Sequence, residues 1–394
     1  MQRSKTTCVI PDFKEPHFFQ NYRGILRSFT IGEASSYFMS MSAIMLGCDV
    51  VVQRYNRNKK THRVFPKSLA TPRLMDISHK KHRYTFLESA SEKTIPLASA
   101  IEAKDKIRSK HVLAHAGITT PVGGAANATN LSALEYFAKA GVRSVIVKPA
   151  TGSRSQGILE RATLAQAKQH IIKNPKTLYI VEQFIPGHAV RAHVVGNEVV
   201  ASARLAPISI TGDGVHSVKE LIQSKINQRK MHPKFYDKPM DTAKVLAHLR
   251  DINVHTSTVL AANKVLPLTN SSLPDDDSDT VWYLDNLTDD DKALAVRAAS
   301  VLGLKSTGVD LMKSVSGTTY VLELNSKPGI GFLCMPTHGL PNLRVPEALL
   351  RWHFPKLGDQ VRTIKRYDYL RLLSDYQSNT EQNEFSAADY VEFA

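Results

Sequence analysis

Two acids and an amide in the last third of the chain have the residue types and spacing for a metal site. Asp310 lies in GVDLM (308–312), and Glu323 and Asn325 lie in VLELN (321–325). These are two β-rich runs on either side of a Ser/Gly turn. With the turn centred on Ser316 and Gly317, Asp310 falls directly across from Glu323. Period-two alternation then puts Asn325 on the face of Glu323. Side chains of this kind held so close repel one another unless a hard cation sits between them. Mg²⁺, or Mn²⁺ in its place, takes such oxygen donors together with phosphate. Val309, Leu311, Val321, Leu322 and Leu324 flank the set and imply a largely buried hairpin. A hairpin with an ordinary solvated polar face is the competing reading.

Two further stretches could handle a nucleotide. SVIVKP (144–149) reads as a buried strand ending in Lys148, and the small-residue loop TGSRSQG (151–157) follows. Such a loop lets backbone N–H groups approach phosphate oxygens while the lysine adds a point charge. It is neither a Walker A nor a Gly-x-Gly-x-x-Gly motif, and a surface turn is the alternative. In YIVEQFIPG (179–187) a strand runs into Pro-Gly, a place where backbone groups could meet a flat base edge-on and Glu182 accept from its amino group. A plain strand end is the alternative. His111 and His115 have a zinc-compatible i, i+4 spacing, but the central Glu of HExxH is missing and no third ligand is apparent, which argues against zinc. Cys334 reads as structural or incidental.

The elements that must position these residues suggest an α/β and α+β architecture in four segments. Residues 1–95 carry a small-residue apolar helix (32–47) and a β-rich run (49–55), the pattern of an α/β domain. Residues 96–185 carry a helix at 104–116 stopped by Gly117, the 144–149 strand, a helical pattern at 159–174 and a strand at 177–185. Residues 186–345 carry strands at 193–195 and 198–204, an acidic loop at 275–279, a helix at 289–302 and the hairpin. Residues 346–394 begin with an amphipathic segment (346–354) and end in a polar tail.

The 394 residues are 42% hydrophobic and 22% charged, ordinary for a soluble globular protein. No apolar run approaches the roughly 20 residues of a membrane span, and the first 16 residues lack a signal-type apolar core. Three scattered cysteines fit a reducing cytoplasm. The net charge of +15 is spread along the chain, without zinc-finger spacing or an aromatic RNA-reading motif. That distribution argues against nucleic acid as a partner and for anionic small molecules.

Taken together and in this order, the motifs resemble the ATP-grasp superfamily, in particular the ligase domains of cyanophycin synthetase and bifunctional glutathione synthetases. The likeness covers roughly residues 88–345. It includes 104–121, IVKPATGSRSQGI (146–158), VEQFIPGHAVRAHVV (181–195), ARLAPISITGDGVHSVKELI (203–222), GVDLM and VLELNSKPGI (321–330). The resemblance implies an ATP-grasp fold with residues 1–95 as a pre-grasp domain. It makes Lys106 and Lys148 the lysines on the ATP phosphates, Ser153, Ser155 and Gly157 a loop closing over them, and Glu182, Phe184 and Ile185 the adenine hinge. Asp310, Glu323 and Asn325 match its Mg²⁺ ligands. Arg204 falls where such ligases set a cation against the transferring phosphoryl group. Asp213, Ser326 and Gly329 belong to segments that shape the acceptor pocket. One departure is plain: where many relatives hold the ribose with an acid, this chain has Ala189, and Arg191 two residues on faces either substrate or solvent.

The implied function is ATP-dependent ligation of a carboxylate to an amine, amino acids or peptides, through an acyl phosphate with release of ADP and phosphate. A ligase acting on a protein or ribosomally made peptide, and a non-catalytic nucleotide-binding relative, are the alternatives. The oligomeric state stays open, a homodimer included.

Overall fold

The computed structural model describes residues 31–53, 74–151, 157–231, 240–269, 278–338, 342–358 and 382–385. The chain divides into two compact units, each assembled from separate stretches of sequence. One comprises residues 1–91, 208–270 and 328–394, and the other residues 92–207 and 271–327.

In the first unit, helix Ile31–Met45 leads through Gly47 into strand Asp49–Gln53. That strand joins an antiparallel sheet whose order is 382–385, 49–53, 74–79, 82–87. Tyr37, Met39, Met41 and Ile44 of the helix and Met75, Ile77 and Phe86 of the sheet are fully buried. A second apolar cluster joins the short strand pair Ser209–Thr211 and Val265–Pro267 to helices Val218–Met231 and Thr242–Asp251 through Ile210, Val218, Ile222, Val245, Leu249 and Leu266. Helix Arg344–His353 covers the amphipathic segment expected at 346–354, burying Val345, Pro346, Leu349, Leu350 and His353.

The second unit holds two antiparallel sheets. Its chain order is α1 (Leu97–Lys104), α2 (Lys106–His115), β1 (Gly123–Ala126), α3 (Ser132–Lys139), β2 (Val145–Pro149), β3 (Leu159–Ala162), α4 (Leu164–Lys173), β4 (Tyr179–Gln183), β5 (Gly187–Val195), β6 (Glu198–Ala206), β7 (Asp279–Trp282), α5 (Asp289–Val301), β8 (Ser306–Ser314) and β9 (Thr319–Asn325). The smaller sheet has the order β1-β4-β2-β3 and the larger β7-β6-β5-β8-β9. In the smaller sheet alternation sorts the faces. Val145, Val147, Tyr179 and Val181 pack with Leu134 and Phe137 of α3 and Ala167 and Ile171 of α4, while Lys148 and Glu182 take the other face. Burial of such a face is the dominant favourable term, at about 25 cal/mol per Å² of apolar surface.

Three local readings differ from the sequence expectation. The helix expected at 104–116 is two helices, broken at Asp105, whose extended backbone lets its carboxylate accept from the N–H groups of Ile107 and Arg108 and cap α2. The helical pattern at 159–174 opens instead as strand β3. The helix starts only after Thr163, which forms a reciprocal capping box with Gln166. The hairpin reaches its expected pairing by an unexpected route. Near the turn Lys313 pairs with Thr319, and a bulge between Asp310 and Leu311 then inserts Leu322 and brings Glu323 opposite Asp310. The acidic loop at 275–279 lies mostly outside the described residues, as does the tail after 385.

Candidate functional site

The larger sheet carries its chemistry on one face. Cross-strand pairing aligns Glu323 of β9, Asp310 of β8 and Arg191 of β5 in one row, with Asn325, Gly308 and His193 in the next. Residues paired directly across strands share a face. Arg191 grips Asp310 with both ends of its fork, Nε to Oδ1 and Nη2 to Oδ2, each at 2.5 Å. Asn325 Nδ2 donates to the same Oδ2 at 3.1 Å and to Gly308 O at 3.3 Å. Burial raises the Asp310 carboxyl above its ordinary range despite Arg191, and neighbouring Glu323 adds to the rise. Burial pushes Glu323 up as well, but Lys106, Lys148 and Arg191 together draw it below its ordinary value.

Helix α2 and the smaller sheet supply ammonium groups. Lys106 Nζ stands 3.3 Å from Glu323 Oε2. One turn on, Lys110 Nζ lies 2.5 Å from Glu182 Oε1, and Lys148 Nζ lies 2.7 Å from Glu182 Oε2. Glu182 is only 2% exposed, and the two lysines outweigh its burial and bring its pKa down to about 2. Gly123 faces it across β1. A Cβ there would come within 2.9 Å of both Glu182 Cγ and Val181 O, so only glycine leaves room for the carboxylate. Burial pulls Lys110 below its ordinary pKa, whereas the attraction of Glu182 overcomes burial at Lys148 and raises it. Four cations, Lys106, Lys110, Lys148 and Arg191, thus meet three carboxylates.

Beside this charged row lies an apolar patch of Ile185, Ala189, Met312, Tyr320 and Leu322. The hinge backbone adjoins it. Phe184 N–H donates to Ser144 O at 3.1 Å, while Ile185 N–H has no backbone acceptor among the described residues and can meet the edge of a base. Arg161, in the left-handed region at φ 54°, stacks its guanidinium 5.3 Å from the centre of the Phe184 ring.

Among the expected site residues, the structure brings together Lys106, Lys148, Glu182, Arg191, Asp310, Glu323 and Asn325. Both oxygens of Glu182 face ammonium groups, Oε1 towards Lys110 and Oε2 towards Lys148, so a base amino group would share them with the lysines. Arg204 is not brought to this row. It pairs with Val190, one residue out of phase with Arg191, and so projects from the opposite face, where its charge helps lower the half-buried His188 after burial itself. Ser153 and Ser155 lie outside the described residues. Gly157, at φ 70°, turns the chain back against Pro149 at the end of β2. Ser326 follows Asn325, half-buried. Asp213 and Gly329 belong to the other unit. There Asp213 Oδ1 accepts from Val215 N and His216 N at 2.9 and 2.8 Å, making an exposed turn before helix Val218–Met231, and Glu220 pairs reciprocally with Ser217 at that helix entry.

Two participants escaped the sequence reading. Lys110 could have been noticed from its i, i+4 relation to Lys106, which puts both on one helix face. Met312 gave no signal beyond apolar alternation.

The donor set suits a hard divalent ion. Two carboxylates on paired strands with an amide alongside are the oxygen-bearing groups that such an ion takes. The cationic surplus and the apolar patch next to a hinge N–H suit a triphosphate and its base.

Comparison with known proteins covers the same stretches of chain. Residues 103–214 and 280–338 match the model of the RimK-like ATP-grasp domain. The glutathione biosynthesis bifunctional protein GshAB of Listeria innocua is 28% identical over 254 residues, 61% of this chain and 33% of that protein. Cyanophycin synthetase of Nostoc sp. is 24% identical over 296 residues, 71% of this chain and 32% of that protein. The chain thus spans about a third of the length of these curated relatives. Among solved structures, a bifunctional glutathione synthetase from Pasteurella multocida superposes with a TM-score of 0.55 at 20% identity, covering 72% of this chain and 40% of that one, a likeness of fold. Residues 103–214 and 280–338, the stretches that carry the charged row, the hinge and the lysines, are a RimK-like ATP-grasp domain.

Proposed function

We propose that this chain is an ATP-dependent carboxylate–amine ligase that joins amino acids or peptides with release of ADP and phosphate. The observation that carries the reading is the row Arg191–Asp310–Glu323 with Asn325 beside it, facing Lys106 and Lys148 and flanked by the apolar patch at the hinge. Asp310, Glu323 and Asn325 would hold Mg²⁺ or Mn²⁺, which when bound neutralises phosphate oxygens and favours charge transfer to the leaving group. Ile185 N–H and the patch of Ala189, Met312 and Leu322 orient the base. Lys106 and Lys148 would neutralise the phosphates, and Ser153, Ser155 and Gly157 are proposed for the loop that closes over them. Arg191 is the cation nearest the metal ligands, and in this reading it turns from Asp310 to the transferring phosphoryl group.

The reaction that fits has two displacements. A substrate carboxylate oxygen bonds to the γ-phosphorus as the bond to the β–γ bridging oxygen breaks, giving an acyl phosphate and ADP. An amine then attacks the acyl carbon, phosphate leaves, and the amine proton passes to solvent. Pre-positioned cations supply the stabilisation that such charge movement requires. Ser326 is proposed for the acceptor side, and residues 1–95 for a pre-grasp domain. Among the described residues no helix is long and apolar enough to cross a membrane, and a cytoplasmic setting accords with the three unpatterned cysteines.

The test is mass spectrometry of products from pooled amino acids and dipeptides with ATP and Mg²⁺, alongside phosphate release. Amide products with stoichiometric ADP support the ligase. Tight ATP binding with no ADP from any acceptor would favour a non-catalytic nucleotide binder instead.

A further inference from the structure

Lys110 has no place in the reaction outlined above, yet it sits at the junction of three elements. Its Nζ pairs with Glu182 Oε1 of β4 at 2.5 Å and donates to Val321 O of β9 at 3.4 Å, from a side chain only 12% exposed. Lys148 Nζ takes the other oxygen of the same carboxylate at 2.7 Å. Burying an ammonium group is costly, and one carboxylate would neutralise Lys148 without help. Lys110 takes the oxygen that Lys148 leaves, and together the two lysines exceed the charge of Glu182 by one.

With Glu182 and Lys148 alone, the group has zero net charge and presents little field to an incoming anion. With Lys110 added, the same group carries one surplus positive charge in a poorly hydrated setting, where charge interactions are several times stronger than in water. Lys106, at i−4 on the same helix, is matched instead to Glu323. Helix α2 thus delivers two ammonium groups to two acids on different sheets.

We propose that Lys110 is a positioning residue for the triphosphate: by pairing with Oε1 of Glu182 it gives the group of Lys148, Glu182 and Lys110 one surplus positive charge, which draws the phosphates to Lys148. The inference rests on the nucleotide-binding reading above. It predicts a charge effect confined to the phosphates, and a partial rescue when the competing carboxylate is neutralised.

The experiment is calorimetric titration of wild type, Lys110→Gln, Lys110→Met and Lys110→Gln/Glu182→Gln with Mg²⁺–ATP and with adenosine, after circular dichroism and thermal melting have verified folding. Gln retains hydrogen-bonding capacity without charge, so it covers the case in which Met does not fold. ATP affinity is expected to fall about tenfold or more in Lys110→Gln, with adenosine changed by less than about twofold, and the double variant should regain at least about threefold of the loss. Equal losses for ATP and adenosine, an unchanged ATP affinity, or a double variant weaker than the single would each overturn the role. Wild type that binds neither ligand would remove the nucleotide reading, and this inference with it.

Discussion

Each face of the larger sheet holds an aspartate paired with a cation, and the two pairs do different things. On the face covered by α5, Asp291 is saturated. Lys313 bridges to one oxygen, Thr319 donates to the other at 2.7 Å, and Thr288 N–H adds a capping bond at 3.1 Å. Its partners outnumber its charge, and its carboxyl lies below its ordinary range because these hydrogen bonds overcome burial. On the opposite face, Asp310 belongs to a group with more positive than negative charge, beside Glu323 and within reach of the lysines. A self-sufficient pair locks a helix to a sheet. A group left with surplus charge is prepared for something that is not protein.

The largest test of that contrast removes the acids one at a time. Asp310→Ala or Glu323→Ala is expected to lower turnover by about a thousandfold or more while leaving the circular dichroism spectrum unchanged; full activity in either would abolish the metal assignment. Next comes the pair of arginines. Arg191→Ala should cost about a hundredfold in kcat/KM, whereas Arg204→Ala, on the other face, should stay within about threefold. The reverse order would mean that the register described here does not decide which arginine acts.

Asp291→Ala should invert the pattern, destabilising by about 2 kcal/mol in urea melts with kcat changed less than about twofold. Glu182 offers a pH test. Its folded pKa of about 2 lies below its ordinary value of 4.5, so its contribution to stability is complete above pH 4.5 and disappears as pH falls towards 2. Glu182→Gln should therefore flatten the acid limb of the stability profile over that interval, as followed by urea midpoints at successive pH values. The smallest effect concerns the sugar. Ala189 is part of an apolar patch, so 2′-deoxy-ATP should match ATP in KM within about threefold. A penalty above tenfold would show that another residue reads the hydroxyl.

Much of this arrangement was legible before any coordinates. Alternation around Ser316–Gly317 pointed to a hairpin with Asp310, Glu323 and Asn325 together, because strand period and turn chemistry are local properties. The strand ends at Lys148 and Glu182 were visible for the same reason. Less legible were features set by tertiary context. Sequence gives no sign that Lys110 is buried, since a lysine four residues after another usually marks a solvated helix face. The face of Arg204 depends on the pairing of β5 with β6, and an offset of one residue reverses it. The break at Asp105 was readable in principle as a cap signal, but the helical pattern on both sides masked it.

The extra residue at Leu322 also separates two demands on the hairpin. A turn evolves freely in length and composition, while metal ligands tolerate no slippage, and in a regular ladder a change in one would propagate to the other. Here the bulge stands between them like a gearbox. Were the ladder regular beyond the Leu311–Val321 pair, Leu322 rather than Glu323 would stand across from Asp310, converting the ligand row into an apolar one without altering a single charged residue.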